Sequence, residues 1–262
     1  LESNAIRFDD AAAYERYMGK WSQPAGESFL HWLAPAPGWR WLDVGCGGGA
    51  FSELIVDRCA PRSVHGIDPA EAQLAHARTR CGGPNVRFQV GDAMALPFPV
   101  DAFDAAVMPL VIFFVPEPAV GVAEMARVVR PGGIVAAYSW DMAGGGFPYE
   151  ALRAEMRALG VDVPMPPSQD ASRIDVLQQL WALAGLEAIA IREITVERTF
   201  TDFDDYWSTI LGGPSLRARL AALAPADLSL LQARMRSRLP ADASGRIRCS
   251  ARVNAIRGQV PH

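Results

Sequence analysis

At 262 residues, 50% hydrophobic and 21% charged, the chain is long enough to bury a full core without cross-links. A net charge of −4 and an isoelectric point near 5.6 leave no electrostatic footprint for nucleic acid, and no apolar run reaches the roughly 20 residues of a membrane-spanning helix. Cys46, Cys59, Cys81 and Cys249 lack CxxC or CxxH spacing, so neither a metal centre nor a disulfide framework is expected. The chain opens on Leu1 rather than Met, as a processed or trimmed chain would, and shows no charged and apolar leader. A cytoplasmic setting is expected.

Two helices are expected before the first strand, the second over 26–33, closed by Pro35 and Pro37. Tyr14, Tyr17, Met18 and Trp21 recur at helical spacing and form one aromatic face, which either packs on the domain or closes as a lid over a cationic ligand. Trp41-Leu42-Asp43-Val44-Gly45-Cys46-Gly47-Gly48-Gly49 then reads as a buried strand, an acid and a glycine turn, with a helix from Ala50. The start of that helix offers unpaired N–H groups to a ligand. A second strand, 63–68, again ends on an acid, Asp68, about 20 positions beyond the glycines, where dinucleotide folds carry the acid that binds a ribose.

A helix over 70–80 leads to a third strand, 85–90, ending at Gly91-Asp92-Ala93. Asp92 either accepts from an adenine amino group or caps the turn that follows. The fourth strand spans 102–108, a helix follows over 119–129, the turn Arg130-Pro131-Gly132-Gly133 ends it, and the fifth strand spans 134–140. Strands alternating with helices require right-handed crossovers and a parallel sheet covered on both faces, with ligands beyond the carboxyl ends of the strands. That is where the three acids sit.

Beyond residue 140 the pattern changes. Gly144-Gly145-Gly146 reads as a hinge, 148–159 and 174–184 as helices, 186–200 as a long sixth strand, 201–239 as largely helical, and 246–256 as an antiparallel seventh strand. The fold expected is α/β, a Rossmann-like seven-stranded sheet with six parallel strands and one antiparallel, helices on both faces and a partly helical cap. Its expected divisions are N-terminal helices and a binding core over 1–140, a core continuation with a lid loop over 141–200, a helical cap insertion over 201–243 and a last core strand over 244–262. The leucines at 216, 220, 223, 228, 231 and 239 are expected in the core.

Leu42 to Gly49, Gly66-Ile67-Asp68-Pro69, Gly91 to Phe98, and Arg127-Val128-Val129-Arg130-Pro131-Gly132-Gly133 together resemble the successive motifs of class I S-adenosylmethionine-dependent methyltransferases. The subgroup resembled contains the ubiquinone and menaquinone biosynthesis methyltransferases, and the likeness covers roughly residues 10 to 140. The resemblance implies a cofactor site of Asp43, Gly45, Cys46, Gly47, Asp68, Pro69, Gln73, Gly91, Asp92, Ala93 and Met108. In it the glycine turn lies under the methionine part, Asp68 holds the ribose, and Asp92 with Ala93 meets the adenine. The family often carries methionine where this chain has Gln73. Tyr17, Trp21, Phe113, Tyr138 and Asp141 are candidates for the acceptor side.

In-line transfer to a small-molecule acceptor is the implied reaction, and it demands alignment in a dry pocket more than it demands a base. No catalytic base stands out: His31, His65, His76 and His262 read as structural or solvated, and Tyr138 and Asp141 are the weak candidates. Cys46 reads as a gap-filler. A noncatalytic S-adenosylmethionine-binding protein is the alternative, with an NAD-dependent oxidoreductase behind it, disfavoured by GxGxG in place of GxGxxG. Neither nucleic acid nor metal is expected as a partner, and the oligomeric state is left open.

Overall fold

The computed structural model describes residues 15–213 and 216–262, so Tyr14 of the expected aromatic face lies outside the described residues. Contacts divide the chain into two compact units. The first holds the segment ending at Ser22, Gly145–Met165 and Thr195–Ala251; the second holds Gln23–Gly144, Pro166–Ile194 and Arg252–His262.

The chain forms β1 (Arg40–Val44), α2 (Ala50–Cys59), β2 (Ser63–Asp68), α3 (Glu71–Arg80), β3 (Val86–Val90), β4 (Phe103–Pro109), α4 (Pro118–Val128) and β5 (Val129–Trp140) after an opening helix, α1 (Lys20–Leu33). Then come α5 (Glu150–Ala158), α6 (Ile174–Leu183), β6 (Glu187–Phe200), α7 (Phe203–Ile210), α8 (Leu216–Ala221), α9 (Pro225–Arg238) and β7 (Ile247–Gln259). The seven strands order as β3-β2-β1-β4-β5-β7-β6, with β7 antiparallel to β5. This is the Rossmann-like sheet expected. The order reverses between β1 and β4, so the crevice for a ligand opens beyond the carboxyl end of β1.

Alternation along β1 decides what each side chain meets. Leu42 and Val44 enter the core shared with α4 and α6, whose members include Met125, Leu177 and Trp181. Trp41 and Asp43 point to the other face, where Ser52 of α2 binds the Asp43 carboxylate. Tyr138 of β5 lies on that face too, its ring 4.8 Å from Phe29 of α1 and 5.8 Å from Phe51 of α2. At the opposite end of the sheet Asp104 accepts from Arg40 and Arg130, tying the starts of β1, β4 and β5 and holding its own pKa well below the carboxylate range.

Several sequence expectations need correction. The helix before β1 begins at Lys20 and runs through Pro24, preceded directly by a π-helical turn, Glu15–Gly19, rather than by a separate helix within the described residues. Arg130 to Gly133 do not form a turn after a helix but the first part of β5. Gly133 and Gly132 exchange backbone bonds with Val260, and Gly132 takes φ 72°, so the segment pairs despite its proline and glycines. Of the six leucines assigned to the core, Leu220 and Leu231 are fully buried and the other four only partly.

Within the first unit the aromatic residues form a hydrogen-bonded cluster. Tyr17 stacks on Tyr149 at 4.4 Å between centroids, and the Tyr149 hydroxyl donates to the Tyr17 carbonyl (2.7 Å) while accepting from Trp21 Nε1 (3.0 Å) and Arg198 (3.4 Å). Burial pushes the Tyr149 pKa up to about 12. Removing that hydroxyl strands a buried indole N–H and leaves the Tyr17 carbonyl only its longer bond from Arg198, so Tyr149→Phe should cost about 1–3 kcal/mol in urea unfolding.

Candidate functional site

The site is built from the ends of β1, β2 and β3 and the turns that leave them. Gly45, Gly47 and Gly49 take φ of 73°, 51° and 80°, which only glycine adopts without strain. At Gly45 space is limiting as well, since a Cβ there would lie 2.6 Å from the Val111 methyls. Gly45→Ala should therefore destabilise the chain by about 1–2 kcal/mol from the left-handed backbone alone, with the collision added, read as a lower urea midpoint.

Apart from that of Gly48, the N–H groups of the turn are already committed. Those of Gly45 and Cys46 donate to the Ile67 carbonyl at 2.8 and 2.9 Å, and that of Gly49 to Cys46 at 2.9 Å. Gly47 donates to Asp68 Oδ2 at 3.0 Å. A phosphate cradle requires such groups to converge on an anion. Here the turn turns them inward.

Two acids dominate the site. Asp68 is held from both sides, accepting from Gly47 through Oδ2 and from the Ala70 N–H through Oδ1 at 2.9 Å, and burial raises its pKa. Each oxygen keeps a lone pair for a ligand hydroxyl. Asp43 is fully buried; Oδ2 accepts from Ser52 Oγ at 2.6 Å, while Oδ1 has no hydrogen-bond partner among the described residues. Burial lifts its pKa to about 7, the Ser52 bond acting against the shift. A buried carboxylate with one bare oxygen fits a cation and repels a phosphate.

The remaining sequence candidates fall into three groups. Gln73, in the first turn of α3, extends its amide oxygen to 3.5 Å from where a Cβ on Gly48 would stand, placing it over the glycine turn. Pro69 is exposed beside Asp68, and Gly91 backs onto Ile67. Asp92 accepts from the Met94 N–H at 2.9 Å, the cap geometry weighed for it, with Ala93 between them. Met108 is buried in β4 with its methyl near Gly121 of α4, leaving only its backbone for the site. Cys46 lies behind the turn against Gly66, and burial next to Asp43 and Asp68 drives its thiol pKa strongly upward, so it is no nucleophile.

The acceptor-side candidates are more dispersed. Phe113 is buried in a short 3-10 turn, Ile112–Phe114, after β4. Tyr138 is packed between Phe29 and Phe51. Asp141 accepts from Arg252 and from the Gly144 N–H, so its charge is neutralised within the second unit. Tyr17 and Trp21 belong to the first unit and its Tyr149 cluster. Among the described residues no helix is long and apolar enough to cross a membrane, and no cluster of three metal-binding side chains occurs.

Residues 42–137 match a family model described as a methyltransferase domain. A malonyl-[acyl-carrier protein] O-methyltransferase from Methylococcus capsulatus is 31% identical over 199 residues, spanning 75% of this chain and 67% of that protein. The demethylmenaquinone methyltransferase of Renibacterium salmoninarum is 39% identical over 131 residues, 48% of this chain and 52% of that one. The chain belongs to the class I S-adenosylmethionine-dependent methyltransferases. A putative methyltransferase structure from Bacillus halodurans shares the fold, with a TM-score of 0.62 at 16% identity over 91% of this chain and all of that one.

S-adenosylmethionine is the cofactor of that family, and the residues present fit it, since the bare Asp43 oxygen asks for a cation. The curated relatives are matched over 27% to 67% of their own length. Sequence reasoning missed Ser52, Ala70 and Val111. Ser52 was findable, because the β1 alternation that turns Asp43 toward α2 makes a small hydroxyl in its first turn a natural partner. Val111 was not, because nothing local marks the side chain that fills the space over Gly45.

Proposed function

We propose that the chain transfers a methyl group in line to a small-molecule acceptor. The observation that carries this reading is the fully buried Asp43 with its unpartnered Oδ1 beside a glycine turn whose N–H groups point inward. When bound, S-adenosylmethionine supplies an electrophilic methyl on a sulfonium. Asp43 would take the ammonium of the amino-acid part, directly or through water. Asp68, fixed by Gly47 and Ala70, would accept both ribose hydroxyls, and Ala93 with the Asp92 turn would meet the adenine.

The chain's own contribution to the reaction is placement and dryness, which suffice for an acceptor that ionises readily. Asp141 is bound to Arg252 and Tyr138 is enclosed by aromatic rings, so neither is assigned as a base. A small acceptor is supported by relatives named for demethylmenaquinone, aklanonic acid and malonyl-[acyl-carrier protein].

The test is a labelled-methyl screen with quinols, phenols, carboxylic acids and amines as acceptors. Transfer to one class is the expected result. Tight S-adenosylhomocysteine binding with no transfer to any class would favour a noncatalytic binding protein instead.

A further inference from the structure

One buried guanidinium in the first unit lacks the partner its position calls for. Arg153 of α5 is only 9% exposed, and its guanidinium carbon stands 5.0 Å from the Phe147 ring centroid. Nη2 donates to the Pro164 carbonyl at 3.0 Å and meets the Met165 thioether, two uncharged acceptors. Nε is buried with no hydrogen-bond partner among the described residues. Burial pulls the pKa below the ordinary arginine value.

Glu150 acts on Arg153 only through space, and the neighbouring acids bind other arginines. Glu150 pairs with Arg157, and Glu155 pairs with Arg234 at 3.3 Å and Arg238 at 2.5 Å. Arg40, Arg127 and Arg130 are more exposed than Arg153, yet each holds a carboxylate. A buried cation with no carboxylate bound to it is costly, and an arginine fork with a bare Nε matches a planar carboxylate. The surroundings on the Phe147 side are aromatic: Phe147 packs edge-on against Tyr149 at 6.1 Å, and Tyr149 stacks on Tyr17. A single fork among rings suits a monoanion better than a phosphate dianion, whose second charge would be desolvated without a cation.

We propose that Arg153 is the carboxylate receptor of a ligand site in the first unit, which takes an aromatic or otherwise apolar acid. The acid's carboxylate replaces the Met165 thioether and the Pro164 carbonyl on the guanidinium and gives Nε its acceptor. Met165 is 41% exposed, so its displacement opens the fork from solvent. The site draws on first-unit residues alone and stands independently of the cofactor reading.

Thermal-shift titrations of the full chain with benzoate and its uncharged counterpart benzamide, at matched ionic strength, test this on wild type, Arg153→Lys and Arg153→Met. Benzoate should raise the wild-type midpoint by a few degrees and benzamide should not. Arg153→Met should lose the benzoate response, and Arg153→Lys, keeping the charge without the fork, should weaken benzoate roughly tenfold. A benzoate response unchanged in Arg153→Met, or equal responses to benzoate and benzamide, would overturn the proposal. S-adenosylhomocysteine reports folding of the variants; if neither variant responds to it, the wild-type comparison decides alone. Failure of wild type to bind S-adenosylhomocysteine counts against the methyltransferase reading, and the benzoate result stands apart from it.

Discussion

Asp68→Ala should weaken S-adenosylhomocysteine binding by roughly 10–100-fold, the loss expected for charge-assisted hydrogen bonds of about 1.5–3 kcal/mol. The carboxylate has two duties, because it also holds the Gly47 and Ala70 N–H groups that shape the turns after β1 and β2. Asp68→Asn separates them. An asparagine oxygen still accepts from one of those N–H groups, so the turn is partly kept while the charge toward the ribose is lost. The alanine variant should therefore bind more weakly than the asparagine variant in calorimetry. Equal, wild-type affinity in both would remove Asp68 from the site.

The second large effect concerns Asp43 and has a sign fixed by linkage. Burial raises its pKa from 3.8 to about 7 in the folded chain. The stability it contributes without ligand is therefore fully present below about pH 4 and is lost as pH rises to about 7. Urea unfolding from pH 4 to 7 should show this decline, and Asp43→Asn should abolish it. Binding runs the other way, because a ligand ammonium needs the ionised carboxylate. S-adenosylhomocysteine affinity should rise about tenfold per pH unit up to about pH 7 and then level off. Asp43→Asn keeps the shape and the Ser52 contact but should bind roughly 30-fold more weakly at pH 8, with the pH slope gone. An unchanged slope in the variant would place the titrating group elsewhere.

Much of the fold was legible because the second unit is locally consistent. The runs ending at Val44, Asp68 and Val90 are short, apolar and closed by acids or glycines, and each becomes a strand of the expected sheet. The segment at Arg130-Pro131-Gly132-Gly133 was misread because its composition signals a turn. The decisive fact is its pairing with Val260, well over a hundred positions away in the chain. The first unit was less legible for the same reason. Tyr149, Arg198 and Trp21 meet through hydrogen bonds between distant segments, and no local period announces them. Within the site, the acids were visible as residue types at strand ends. That the glycine turn spends its N–H groups on Ile67 and Asp68 was not, because that depends on how β1 and β2 are registered.

That inward direction also separates the two cofactor chemistries. A dinucleotide would bring a pyrophosphate to a turn with few free donors and a buried carboxylate behind it, whereas a cationic methyl donor meets the bare Asp43 oxygen. Calorimetric titration of the wild-type chain with S-adenosylhomocysteine and, separately, with NAD tests this most directly. Saturable one-to-one binding of S-adenosylhomocysteine with no heat from NAD is the predicted result. Binding of NAD in its place, or no binding of S-adenosylhomocysteine at pH 8, would contradict it.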